Sequence, residues 1–172
     1  MERETEREPD PMRNPTTVER ESERALVVTR IFNAPSRLVF EAWAKPELLT
    51  RWWAPKSFGI SFISCEADVR TGGTYRFVFS HPAFEQPMAF FGRYIEVTPH
   101  SRIVWTNEES ADGAITTVTF EETDGKTLLV LHELYPSKQA LDDAIASGSS
   151  GTSGAGEQFE LLDELLVTLV RP

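Results

Sequence analysis

The polar and apolar positions divide the chain into segments of two periods. Ala25–Phe32, ALVVTRIF, is rich in β-branched residues and predicts a strand. Pro35 suits the first turn of a helix, where a missing N–H costs nothing, and Val39, Ala42 and Trp43 follow as an apolar stripe. Pro46 ends that helix or opens a second one. Glu47 places negative charge in a first turn, and Leu48, Leu49, Trp52 and Trp53 supply apolar surface before Pro55 stops the helix. Strands are then predicted over 59–69, 74–80, 88–98, 102–106, 114–121 and 126–135, separated by turn residues. Tyr75, Phe77 and Phe79 alternate with polar neighbours, so one strand face is aromatic. Asp124-Gly125 is the sharpest hairpin signal, because a type I′ turn needs positive φ at both central residues. A helix over 136–146 leads to SGSSGTSGAG at 147–156, read as a flexible stretch. The segment 157–170 closes the chain with Phe159, Leu162, Leu166 and Leu169 on one helical stripe, widened by Leu165.

A sheet with one apolar face must be covered, and the last helix is the one long cover in this pattern. The predicted class is therefore α+β: a curved antiparallel sheet of about six to seven strands holding a long C-terminal helix, with two short helices after the first strand. Residues 1–24 hold 8 acids, 5 bases and few large apolar side chains. They are expected to form a disordered charged tail, and 25–172 the domain. Either Met1 or Met12 fits as the start of translation.

Charge and cysteine content narrow the function. The net charge of −10 repels phosphate backbones, which argues against a nucleic-acid partner. Residues 25–105 carry 6 acids and 9 bases, whereas 106–172 carry 13 acids and 3 bases, so the negative excess is C-terminal. A single cysteine closes no internal disulfide, no apolar run is long enough to span a membrane, and the charged N-terminus has no signal-like apolar region. The expectation is a cytoplasmic protein with no membrane partner.

Four stretches, taken together, resemble the family named after the C-terminal domain of the activator of heat-shock-protein-90 ATPase, within the START-like (SRPBCC) helix-grip superfamily. They are RIFNAPSRLVFEAWAKPELLTRWWAP at 30–55, EADVRTGGTYRF at 66–77, GRYIEVTPHSRIVWT at 92–106 and TVTFEETDGKTLLVL at 117–131. The resemblance implies a helix-grip fold with a cavity between sheet and long helix, partly closed by the two short helices. Relatives often carry Gly-Trp at the start of the last helix; here the place reads Gly156-Glu157, with Phe159 shortly after. The co-chaperone itself has a separate N-terminal domain, which a 24-residue polar leader cannot supply. Stimulation of that ATPase is accordingly not expected.

No residues with metal-ligand spacing or catalytic motifs stand out. His81, His100 and His132 are isolated, so no metal or other cofactor is implied. Cys65 reads as a buried structural thiol rather than a nucleophile. Glu66, Asp68 and Arg70 share a strand face, with Arg70 pairing to Asp68 beside the Gly72-Gly73 turn as the plain reading and a polar cavity mouth as the functional one. Trp43, Trp52, Trp53 and Trp105 fit either core packing or an aromatic-lined pocket. Trp52 and Trp53 cannot point the same way on a helix, so one faces the sheet and the other a cavity mouth or solvent. The candidate ligand-binding set is Trp43, Trp52, Trp53, Tyr75, Phe77, Phe79, Phe91, Trp105 and Phe159. Three functions compete: a carrier or sensor of a small apolar molecule, a module binding a chaperone or stress protein, and an enzyme of the cyclase or hydrolase type.

Overall fold

The computed structural model describes residues 15–54, 56–109, 111–147 and 154–170. In chain order the elements are β1 (Thr17–Arg20), β2 (Ala25–Phe32), α1 (Ser36–Ala44), α2 (Pro46–Trp52), β3 (Ser61–Ala67), β4 (Thr74–Ser80), β5 (Met88–Thr98), β6 (Arg102–Thr106), β7 (Ile115–Thr123), β8 (Lys126–Leu134), α3 (Lys138–Ser147) and α4 (Ala155–Val170). The strands form one antiparallel sheet in the order β1-β2-β8-β7-β6-β5-β4-β3. The α+β class, the two short helices after Ala25–Phe32 and the long last helix are as the sequence predicts.

Two expectations need correction. Thr17–Arg20, placed in the polar tail by its composition, forms an eighth, edge strand against β2, with Thr17 opposite Thr29 and Arg20 opposite Leu26. All four residues are exposed, so the strand gives no hydrophobic signal; its backbone ladder is joined by an ion pair from Arg20 to Asp142 of α3 at 2.7 Å. Residues 1–14 of that tail lie outside the described residues. Of the stretch 147–156, Ser147 ends α3 and Ala155 and Gly156 begin α4, so these three are helical against expectation; 148–153 lie outside the described residues. The Asp124-Gly125 turn has the expected geometry, with φ of 53° and 76°.

The helices cover one face of the sheet in two patches. In the larger, Val28 and Phe32 of β2, Tyr75 and Phe77 of β4 and the inward residues of β6 to β8 pack against α1, α2 and α4. The smaller joins Leu26, Ala114 and Tyr135 to Ala140, Leu141 and Ala144 of α3. The last helix is fixed by more than its apolar stripe. Arg30 points inward from β2, only 4% exposed, and pairs with Asp163 of α4, while its Nη1 donates to Thr16 Oγ1 at 2.8 Å. At the other end Ser57 N–H donates to Glu157 at 3.0 Å, and the Gln158 amide donates to the Trp53 carbonyl.

Leu162 is fully buried, whereas Leu161 is only partly so. Leu162→Ala is expected to cost about 2–5 kcal/mol and Leu161→Ala clearly less, read from urea unfolding midpoints. Equal and small costs at both positions would mean that the sheet does not grip α4.

Candidate functional site

A cleft of about 450 Å³ lies at the seam between the two core patches. Trp53, Tyr75, Phe90 and Trp105 form its aromatic wall, and Ala114, Tyr135, Ala140 and Ala144 face them from the α3 side. Asn107, Glu109, Asp112 and Gly113 come from the loop joining β6 to β7, while Glu133, Asp143 and Ser147 complete the lining. Each wall follows from local sequence. Strand alternation turns Tyr75, Phe77 and Phe79 of β4 inward, and the proline-bounded α2 ends so that Trp52 enters the core and Trp53 stops half-buried at the cleft.

The wall is braced by hydrogen bonds. Tyr75 Oη donates to the Thr106 carbonyl at 2.6 Å, and Asn107 Nδ2 donates to the Ala114 carbonyl at 2.7 Å and to Thr116 Oγ1 at 3.2 Å. Gly92, opposite Tyr75 in the ladder, makes this possible. A Cβ there would lie 2.1 Å from the Thr106 carbonyl oxygen and 2.9 Å from the Tyr75 hydroxyl. Burial, then the nearby Glu109 charge, hold the Tyr75 hydroxyl far above its ordinary value, so it stays a donor. Glu109 is itself raised, chiefly by desolvation, against the pull of backbone N–H donors that include Phe91.

The predicted aromatic residues separate into three groups and one outlier, Phe91. Trp53, Tyr75 and Trp105 line the cleft. Trp43 and Phe77 join those three around an adjoining void of about 20 Å³, roughly the room of one water. Trp52, Phe79 and Phe159 are core residues: Trp52 Nε1 donates to the Ala42 carbonyl at 3.0 Å, Phe79 packs on Phe90, and Phe159 meets Phe32, Trp43 and Trp52. Phe91 is on the wrong face. It sits opposite Arg76, whose guanidinium lies 5.8 Å from its ring, so its neighbour Phe90, opposite Phe77, takes the place at the cleft. The location differs as well: among the described residues α4 contributes nothing to the lining, and α3 does.

Sequence reasoning missed the polar side of the site. Glu133 is 5% exposed on β8, and the signal was available: Thr127, Leu129 and Leu131 set an inward period of two that Glu133 continues. Glu109 and Asp143 carried no such signal, because only the folded chain brings the β6–β7 loop beside α3. The charged set Glu66, Asp68 and Arg70 takes the plain reading, with Arg70 Nε donating to Asp68 Oδ2 at 2.8 Å on the surface. Among the described residues no group of three His, Cys, Asp or Glu side chains is placed to hold a metal ion. No helix there is long and apolar enough to cross a membrane.

Comparison with known proteins gives the family and the fold. The family model described as Activator of Hsp90 ATPase homolog 1-like protein matches residues 33–167. No curated protein matches the sequence. A crystal structure of a protein from Rhodobacter sphaeroides superposes with a TM-score of 0.78 at 24% identity, covering 90% of this chain and 99% of that one. A Nitrosomonas europaea protein gives 0.76 at 24% identity, over 87% and 98% of the two chains. A Chromobacterium violaceum protein gives 0.66 at 28% identity, over 83% and 96%.

Cys65 lies on β3, where burial pushes its thiol up to about 11. Its alkylation by iodoacetamide at pH 8 is expected to run about a hundredfold slower than that of a free thiol, because so little thiolate is present. Unfolding in urea should restore the ordinary rate; fast alkylation of the folded chain would make Cys65 a reactive group instead.

Proposed function

The chain belongs to the Activator of Hsp90 ATPase homolog 1-like protein family, and we propose that this member is a carrier or sensor that holds a small, largely apolar molecule in the cleft between sheet and α3. The observation that supports it most is the cleft itself. About 450 Å³ falls in the range of small-molecule sites, and a mostly aromatic wall with a few convergent polar groups is what such sites require. Trp53, Tyr75 and Trp105 supply apolar area, while Asn107, Tyr135 and Glu133 offer polar groups to orient a ligand.

The cleft also bears on the other two readings. A chaperone-binding module needs an exposed contact patch and no interior space, so an aromatic cleft is not what it calls for. An enzyme of the cyclase or hydrolase type draws support from one observation, the buried Glu133 carboxylate in the cleft. No His, Cys or Lys lines the cleft among the described residues, so acid–base chemistry there would rest on carboxylates and tyrosines.

The test is direct titration of the full chain with 1-naphthalenemethanol, a neutral probe, followed by the tryptophan indole N–H resonances in two-dimensional NMR spectra. About 0.35–0.45 kcal/mol per non-hydrogen atom over roughly 12 atoms gives a Kd of about 0.1–1 mM. Saturable shifts are expected at Trp53 and Trp105. Trp53→Ala should weaken binding about tenfold, the equivalent of about 1.4 kcal/mol, while Phe91→Ala should leave it unchanged. Absence of saturable shifts up to about 5 mM, well above the expected Kd, would end the ligand-binding reading.

A further inference from the structure

Resting on the ligand-binding reading, we infer that the molecule held in the cleft carries a neutral carbonyl group, and that the Trp43 indole N–H recognises it from the small void behind the aromatic wall. Trp43 is only 4% exposed, and its Nε1 is buried with no hydrogen-bond partner among the described residues. A buried indole N–H ordinarily finds an acceptor, because a dry one forfeits the bond it had with water. The next tryptophan keeps that rule: Trp52, packed on Trp43 at 4.6 Å between ring centroids, donates from Nε1 to the Ala42 carbonyl at 3.0 Å. The rings edge-on to Trp43 offer at most a weak π acceptor.

Space for an acceptor adjoins this side chain. Trp43 borders the void of about 20 Å³ and not the larger cleft, whereas Trp53, Tyr75 and Trp105 line both. An apolar body seated against those three rings therefore lies next to the void. Room for one water is also room for one oxygen atom, and a carbonyl presents its oxygen as a single protruding atom.

The lining decides the class of acceptor. The residues around the void that carry polar side-chain atoms are Trp43, Trp53, Trp105, Tyr75 and Tyr94. An indole donates and cannot accept, and the Tyr75 hydroxyl is already given to the Thr106 carbonyl at 2.6 Å. Donors thus outnumber acceptors. A water there would need acceptors for its own hydrogens, while a carbonyl oxygen needs donors alone. Among the described residues no Lys, Arg or His lines the void or the cleft, so no base is at hand to balance a buried carboxylate. A neutral ketone or amide on an apolar or aromatic body meets all of these conditions.

The test titrates the full chain with 1-acetylnaphthalene, isotopically labelled at its carbonyl carbon, and follows both that carbon and the indole N–H resonances. Saturable shifts at Trp53 and Trp105 report that the cleft is filled. The comparison is a variant with benzothienylalanine in place of Trp43, which keeps the ring and lacks the N–H. At saturation the carbonyl carbon is expected further downfield in the native chain than in the variant, as accepting a hydrogen bond requires. The variant is expected to bind the ketone about three- to tenfold more weakly. 1-Naphthoate should bind the native chain more weakly than the ketone. Should the variant not fold, the native complex decides, through a nuclear Overhauser contact between the Trp43 N–H and the acetyl methyl group. Saturable binding with a carbon resonance unmoved by the replacement, or without that contact, would overturn the role of Trp43 with the ligand-binding reading intact; a water held in the void would give this result. Tighter binding of the naphthoate would overturn the neutral class. Failure of both the ketone and 1-naphthalenemethanol to saturate would overturn the inference and the ligand-binding reading together.

Discussion

Trp43 is the side chain on which the arrangement of this domain turns. It projects from α1 and meets Trp52 at 4.6 Å between ring centroids, Trp105 of β6 at 5.8 Å, Trp53 at 6.0 Å, and Phe120 of β7 and Phe159 of α4 at 6.4 Å each. One indole therefore touches both short helices, the middle of the sheet and the start of the last helix. The contacts are mostly edge-to-face, the geometry aromatic quadrupoles prefer, so they fix orientation as well as burying area. Once Trp43 and Trp52 are seated, the next residue has no room in the core. Trp53 is left half-buried, with one side against Phe77 and the other toward the cleft.

The cleft then follows from how the sheet is covered. An eight-stranded sheet is wider than one helix, and α4 with α1 and α2 covers the part centred on Trp43. The remainder falls to α3, which packs Ala140, Leu141 and Ala144 against Leu26, Ala114 and Tyr135 as a separate small core. Alanines bring α3 close to its own patch without reaching across to the first. The seam between the patches stays open, with Tyr75, Trp105 and Glu133 on its floor.

Much of this was legible in the sequence, for reasons that differ by element. Strands with one buried face announce themselves by alternation, and β4 with Tyr75, Phe77 and Phe79 did so. The Asp124-Gly125 turn and the proline-bounded α2 are local chemistry, readable without tertiary context. β1 was not legible, because an exposed strand made of Thr, Val, Glu and Arg has the composition of a tail. The choice between Phe90 and Phe91 was a matter of parity. It is set by pairing across to Phe77 and Arg76 on β4, and consecutive phenylalanines offer no way to tell the faces apart. The α3 side of the cleft depends on long-range placement that neither period nor composition encodes.

Two inward-facing charges on neighbouring strands show how such polar positions divide between fold and function. Arg30 of β2 and Glu133 of β8 both continue apolar inward frames, one through Leu26, Val28 and Phe32, the other through Leu129 and Leu131. Arg30 lies beneath α4, where Asp163 meets it, so the pair fixes the rotation of the last helix and would be costly to break from one side. Glu133 lies beyond the reach of α4, where the sheet's cover changes to α3, and it lines the cleft. The same device, a charge carried on a buried strand frame, orients a helix at one end of the sheet. At the other it places a carboxyl in the lining of the cleft. What lies above each one decides its role.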